Sequence, residues 1–250
     1  MLHWKLKIIM LPDFSEERQL WSSGYNLVIG VDEVGRGSFA GPVVASACAF
    51  VPQLHTSDFI LHNSSARIDD SKRLKPNERK KAAKWIRENC LAYGIGEVNV
   101  PTINKVGIGK ATAIAMRRAA YSVLHMAYGK KNYIRLAISN KPFLLIDAFY
   151  INYMRGIPKA QQKPIIRGDQ KSISIASASI MAKVYRDSLM QRLSKQHPSY
   201  QWGRNKGYGT RNHQEAIVKH GLTRLHRIAF VEAFLSRPTS AKVRTKGLSF

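Results

Sequence analysis

Cysteine is nearly missing from this chain: only Cys48 and Cys90 occur among 250 residues, and neither belongs to a CxxC pair. A cysteine-built zinc site is therefore out, and two free structural thiols in a reducing compartment are expected. No apolar run reaches the roughly 18–20 residues that span a bilayer. Residues 1–10 are basic and then apolar, but the apolar stretch is short and no small-residue cleavage site follows. We therefore expect a cytoplasmic protein that makes no membrane contact. No HExxH zinc motif and no GxSxG nucleophile elbow occurs, and the eight histidines are scattered. Residues 107–112 imitate a phosphate-binding loop. They lack the glycine five positions before Gly109, and Lys110 is followed by Ala111. Acidic residues are also few, with 16 Asp+Glu against 40 Lys+Arg and a net charge of +24. So large an excess points to a polyanionic partner, nucleic acid first and an anionic surface second. It is spread along the chain, so a basic tail alone does not account for it.

What is present suits one large domain, or one with a small appendage, since 44% of residues are hydrophobic. Residues 1–25 are mixed and read as a peripheral extension. An apolar run over 27–31 predicts a strand entering the glycine-bearing turn Asp32-Glu33-Val34-Gly35-Arg36-Gly37. Residues 42–50 are apolar almost throughout and read as a strand buried on both faces. The segment 52–75 is polar and loop-like. A helix is expected over 76–91, with Pro76 in its first turn. Next come a strand over 93–100 and a helix over 110–128 with Ile114, Tyr121, Leu124 and Tyr128 on one side. Strands are expected over 143–146, ending at Asp147, and over 165–167, ending near Asp169. A long helix follows over 173–193, with Ile173, Ala176, Ile180 and Val184 in register. Shorter helices cover 213–220 and 226–235, before a basic tail over 236–250. Alternating strands and helices indicate an α/β domain, and the late helices a helical C-terminal region.

Because carboxylates are scarce, their placement carries information. Asp32 and Asp147 each follow an apolar strand, and Asp169 follows a third strand and precedes a helix. Carboxylates at strand ends tend to converge, and a cation is what allows several to stay ionised together. Hard oxygen ligands of this kind suit Mg²⁺ or Mn²⁺ beside a phosphate. A pair of such ions can activate water and stabilise a leaving oxygen without a protein nucleophile. A single Asp after a strand equally suits a turn or a helix cap, and Asp169 would serve as a cap for the helix starting near Ser172. Glu33 adds a difficulty, because neighbouring strand residues face opposite ways and it reaches the same ion only if the chain bends. Spacing alone leaves both readings open.

The composite motif running from Gly30 through Asp32, Glu33, Gly35, Arg36, Gly37 and Gly41 to Pro42 closely resembles the opening motif of the ribonuclease HII family. The resemblance continues in order through Asp70-Ser71-Lys72 and Leu145-Ile146-Asp147. A block from Gly168-Asp169-Gln170-Lys171 to Asp187 follows, then Lys206-Gly207-Tyr208-Gly209-Thr210 and His226-Arg227-Ile228-Ala229-Phe230. It covers about residues 26–235, which it makes the catalytic domain, and implies a ribonuclease H-like mixed sheet flanked by helices with a helical C-terminal region. It further implies hydrolysis on the 5′ side of ribonucleotides in RNA–DNA hybrids, or of single ribonucleotides in duplex DNA, leaving 3′-hydroxyl and 5′-phosphate ends. Asp32, Glu33, Asp147 and Asp169 would bind Mg²⁺ or Mn²⁺. Gly35, Arg36 and Gly37 would present backbone groups to the ribose 2′-hydroxyl, and Tyr208 would stack on the neighbouring sugar. Lys72, Lys171 and Lys183 suit phosphate contacts and structural roles equally, and Asp187 suits a partner for Arg or Lys better than a ligand.

The chain departs from the family at Ala148, where glycine is common, at Gln170, and at Ala229 in the last block. The related ribonuclease HIII carries an additional N-terminal domain that the residues before Leu27 are too few to supply. A non-catalytic basic nucleic-acid-binding protein explains the charge but not four carboxylates in their motifs. The resemblance further implies a monomer, and the sequence identifies no replication-clamp contact.

Overall fold

The structure is a computed structural model and describes residues 11–52, 66–129 and 142–236. Five strands form one mixed sheet: β1 Val28–Val34, β2 Val43–Phe50, β3 Ala92–Val98, β4 Phe143–Asp147 and β5 Gln162–Ile165. Their order is β3-β2-β1-β4-β5. The first three strands pair antiparallel, and β1–β4 and β4–β5 pair parallel. The helices are α1 Ser15–Ser22, α2 Pro76–Asn89, α3 Val100–Val106, α4 Ile108–Gly129 and α5 Ile173–Gln196, then α6 Trp202–Asn205, α7 Arg211–His220 and α8 Ile228–Leu235. This is the expected mixed sheet with flanking helices and a helical C-terminal region.

Strand parity divides the core. Ile29, Val31, Ala45 and Ala47 face α4, whereas Val28, Cys48, Phe50 and Leu145 belong to the side covered by α5, α2 and α1. Every residue of β2 is buried, as its unbroken apolar run predicts. Neither Cys48 nor Cys90 is in a disulfide.

Several expectations need correction. The segment read as peripheral is not: Phe14 is buried against Phe50, its ring centroid 5.4 Å away. Glu17 of α1 is also buried, accepting hydrogen bonds from Ser172 Oγ (2.6 Å) and Ser174 N (2.8 Å) at the start of α5. Its composition is mixed because one face of this short helix is inside and the other is wet. Residues 1–10 and 237–250 of the expected termini lie outside the described residues, as do 53–65 of the expected loop.

The buried face of α4 is Ala111, Ala115, Met116, Ala119, Ala120, Val123 and Ala127, with Thr112. The expected side is not the core side: Tyr121 and Tyr128 are exposed, and Ile114 and Leu124 only half-buried. The cause lies in β3. A Cβ on Gly96 would stand 1.9 Å from the Ala115 carbonyl oxygen, and one on Gly94 2.4 Å from that of Ala119. The helix backbone thus lies directly on the sheet, where only small residues fit, and the large side chains move to the flanks.

Strand β3 stops at Val98, because Asn99 caps α3 by accepting from Thr102 N (3.1 Å). The strand expected over 165–167 is shifted to Gln162–Ile165 and ends where Arg167 turns left-handed at φ 55°. Pro164 is tolerated because β5 is an edge strand. Ser172, not Asp169, caps α5, its Oγ accepting from Ile175 N.

Candidate active site

Strand β1 carries Asp32 and Glu33 at its C-terminal end. Its ladder with β4 stops at Val31↔Ile146, while its ladder with β2 continues to Val34↔Val44. The pairing with β2 therefore runs unbroken through Glu33, without the bend that would bring it to the same side as Asp32. Instead β1 and β4 part company one residue before Asp32. Asp147 ends β4, and its Oδ1 accepts from Gly168 N (2.8 Å), which ties it to the turn bearing Asp169. Asp169 itself is buried in the single 3-10 turn Gly168–Gln170. Ala148 holds a left-handed φ of 68°, where glycine would relieve about 1 kcal/mol of strain.

Asp147 is the carboxylate that reaches each of the other three electrostatically. Burial pushes Asp32 well above the usual carboxylate range, with Glu33 and Asp147 adding to the effect. Glu33 is raised by burial, Arg36 opposes the rise, and Asp147 reinforces it. Burial, with Asp70 and Asp147 beside it, holds Asp169 up at about 6. Asp32, Glu33 and Asp169 thus hold a proton more readily than free carboxyls do. Among the described residues, no three Asp, Glu, His or Cys side chains are gathered tightly enough to enclose an ion as they stand. Glu33 Oε2 is buried and has no hydrogen-bond partner among the described residues.

Around them stand the basic and backbone groups. Lys72 Nζ lies 3.9 Å from Asp169 Oδ2, and Arg36 Nη1 lies 3.7 Å from Glu33 Oε1. Arg36 also covers the Phe149 ring at 4.9 Å. Lys171 is exposed, and its side chain reaches none of the carboxylates. Lys183 is paired with Asp187 at 2.6 Å, and Arg79 reaches the other oxygen of Asp187 at 3.7 Å, so Asp187 serves as a partner of basic groups.

Tyr208 is exposed next to Gly35–Gly37, joined through the isolated bridge Ser38↔Tyr208. Its carbonyl is fixed from behind. Trp202 Nε1 can only donate, and it donates to His213 Nε2 (3.0 Å). His213 Nδ1 therefore carries the proton and donates to the Tyr208 carbonyl (2.9 Å). Burial keeps both histidines of this cluster neutral: His213 is lowered, and His226, buried beside it, is pushed down to about 4.

Sequence reasoning missed several participants. Asp70 is a further buried carboxylate, held by Lys72 N (2.9 Å) and Gln170 Nε2 (3.2 Å). Ser179 of α5 lowers Asp32 by a hydrogen bond and meets Ser71 at 3.0 Å. Arg186 and Arg227 are fully buried cations beneath the glycine loop. Asp70, Arg186 and Arg227 all lie in motifs already noted, but nothing local marks the two arginines as buried.

Comparison with known proteins agrees with this arrangement. A family model for Ribonuclease HII matches residues 29–233. A Ribonuclease HII of Caldanaerobacter subterraneus subsp. tengcongensis is 41% identical over 88% of this chain and 80% of its own length. In fold, the chain is similar to Bst-RNase HIII in complex with Mn²⁺, with a TM-score of 0.59, 21% identity and coverage of 84% of this chain and 70% of that one. It is likewise similar to the RNase HII of Archaeoglobus fulgidus in its PCNA complex, with a TM-score of 0.57, 20% identity and coverage of 85% and 98%. Among the described residues, no helix is long and apolar enough to cross a membrane. With the family model matching most of its length and a relative two-fifths identical, the chain belongs to the ribonuclease HII family and is a ribonuclease H hydrolase.

Proposed function

We propose that the protein is a metal-dependent endonuclease acting on RNA–DNA hybrids and on single ribonucleotides embedded in duplex DNA. It hydrolyses the phosphodiester 5′ of the ribonucleotide and leaves 3′-hydroxyl and 5′-phosphate ends. The observation that carries this reading is the placement of Asp32, Glu33, Asp147 and Asp169 within electrostatic reach of one another, next to the turn Gly35–Gly37, whose Arg36 and Gly37 are exposed. The donor set is all oxygen, its carboxyls favour added positive charge, and Glu33 Oε2 is buried and unpartnered, so the residues fit Mg²⁺ or Mn²⁺. Bound divalent ions would supply a water nucleophile at neutral pH and charge stabilisation for the leaving oxygen. The protein's own groups hold and orient. The loop backbone approaches the 2′-hydroxyl, Tyr208 packs on the adjacent sugar, and Lys72 and Lys171 receive phosphates. The +24 charge supplies salt-sensitive affinity for the duplex. We take the protein to act as a cytoplasmic monomer, and a sliding clamp as a partner class with no residues assigned to it.

The direct test is a labelled DNA duplex carrying one ribonucleotide, incubated with Mg²⁺, Mn²⁺ or EDTA beside all-DNA and hybrid duplexes. One metal-dependent cut 5′ of the ribonucleotide, with all-DNA intact, is expected. Cleavage of the hybrid alone would remove the junction role of Tyr208, and no cleavage of any duplex would remove the enzymatic reading.

Cation binding has its own signature. Asp169, raised from 3.8 to about 6, contributes stability below pH 3.8 that is lost as pH rises to about 6. Above that pH the ion-free fold bears the full repulsion, which a cation relieves. At pH 7.5, saturating Mg²⁺ or Mn²⁺ should raise Tm by roughly 5–10 °C, from about 3 kcal/mol of linkage. At pH 5, where protons compete, the shift should shrink. Equal shifts at both pH values would show that the ion binds elsewhere.

A further inference from the structure

Arg186 and Arg227 are fully buried. Among the described residues, neither forms an ion pair. Burying a guanidinium without a carboxylate is costly unless every donor finds an acceptor. Here the acceptors are almost all main-chain carbonyls. Arg227 donates through Nε and Nη2 to the Gly41 carbonyl (2.9 and 2.8 Å), and through Nη1 to those of Gly35 (2.6 Å) and Arg36 (3.0 Å). Arg186 donates to the carbonyls of Pro42 (3.0 Å), Lys206 (2.8 Å) and Ala40 (3.2 Å), and to Ser38 Oγ (3.0 Å). Five carbonyls between residues 35 and 42 are thus turned inward onto two cations.

A trans peptide carries its C=O and N–H on opposite sides, and none of the described peptides is cis. Drawing the Gly35 carbonyl onto Arg227 therefore turns the Arg36 N–H away from it, and drawing in the Arg36 carbonyl does the same for the Gly37 N–H. Among the described residues, no group accepts either N–H. Gly35 completes the device. Its φ of +90° makes the turn, and a Cβ there would stand 2.2 Å from Arg186 Nε, so only glycine lets the loop lie on the guanidinium. The same Arg186 grips Lys206 and lies 5.7 Å beneath the Tyr208 ring, so the two candidate substrate loops share one support.

We propose that Arg227, with Arg186 beside it, is a positioning residue that fixes the peptide polarity of Gly35–Gly37, so that the loop meets the ribonucleotide as a hydrogen-bond donor through the N–H groups of Arg36 and Gly37. This rests on the reading of that loop as the 2′-hydroxyl sensor. Arg227 touches no substrate itself. It acts by removing the inverted loop conformation, in which carbonyls would face the sugar. A staple that merely fastened the C-terminal helices to the sheet would have no reason to prefer a planar fork to an apolar side chain.

The test compares the parent with Arg227→Met and Arg227→Lys in EDTA, by fluorescence anisotropy on two duplexes that differ only in one ribonucleotide. The parent is expected to prefer the ribonucleotide duplex. Both variants should lose that preference by about tenfold or more, while all-DNA affinity stays within about twofold. Arg227→Lys keeps the charge but not the fork, so it should fail like Met. If both duplexes weaken equally, or if either variant keeps the parent's preference, the positioning role is overturned. A parent without preference would instead overturn the sensor reading of the loop. Should the variants fail to fold, ¹⁵N spectra of the parent decide. The Arg36 and Gly37 amides should shift with the ribonucleotide duplex and not with all-DNA, and unchanged amides would refute the proposal.

Discussion

Asp147→Asn is expected to lower cleavage by at least about a thousandfold, some 4 kcal/mol of barrier, while duplex binding stays close to that of the parent. Asparagine has the same shape and keeps an oxygen where Asp147 Oδ1 accepts from Gly168 N, so the turn bearing Asp169 should hold. What disappears is one negative charge among buried carboxyls that Asp147 now pushes upward in Asp32, Glu33 and Asp169. The variant should therefore be no less stable than the parent without cations, and should lose most of the cation-dependent rise in Tm. Binding persists because it derives from the basic surface and not from this group. Single-turnover cleavage and anisotropy on the single-ribonucleotide duplex measure both. A cutting rate within tenfold of the parent would remove Asp147 from the metal site.

The largest stability effect is expected at Gly30, two residues before Asp32. A Cβ there would lie 2.1 Å from the Ser174 carbonyl carbon and 2.4 Å from Ile175 N, so β1 and the first turn of α5 touch backbone to backbone. No flexible side-chain end is available to move aside, and α5 must shift away from the strand that carries the carboxylates. Gly30→Ala should cost about 3 kcal/mol or more, a fall in Tm of roughly 10 °C, and should weaken catalysis as well. Gly109→Ala serves as the control. That glycine sits in α4 with nothing within 4 Å, and alanine there should be neutral or slightly stabilising. Thermal melts of both variants decide the matter, and a Gly30→Ala melt close to the parent's would refute the contact.

Much of the site was legible because its signals are local. An apolar run that ends in a carboxylate marks where a buried strand reaches water, so the neighbouring residues place Asp32 and Asp147 at strand ends, while spacing alone leaves their role open. The positive φ of Gly35 is likewise a property of one turn. Where the reading failed, the deciding partner was distant in sequence. The buried face of α4 was misjudged because large side chains normally mark the inside, and only Gly94 and Gly96 on β3 make alanine the better fit. Residues 11–22 looked peripheral because Glu17 is charged, and Ser172 and Ser174, which satisfy it, lie some 155 residues away.

The sequence by itself determined the class of the domain, the strand ends that bear carboxylates, and the family to which the chain belongs, because period, punctuation and motif are all written along the chain. Tertiary structure alone decided that Glu33 shares a space with Asp147, since that depends on where the β1–β4 ladder stops. It alone decided that Arg186 and Arg227 lie buried under the glycine loop with their charges spent on carbonyls. An arginine in a basic chain reads as a surface residue. Whether it is one depends on which main-chain oxygens the fold brings to it, and that is a property of the packed molecule.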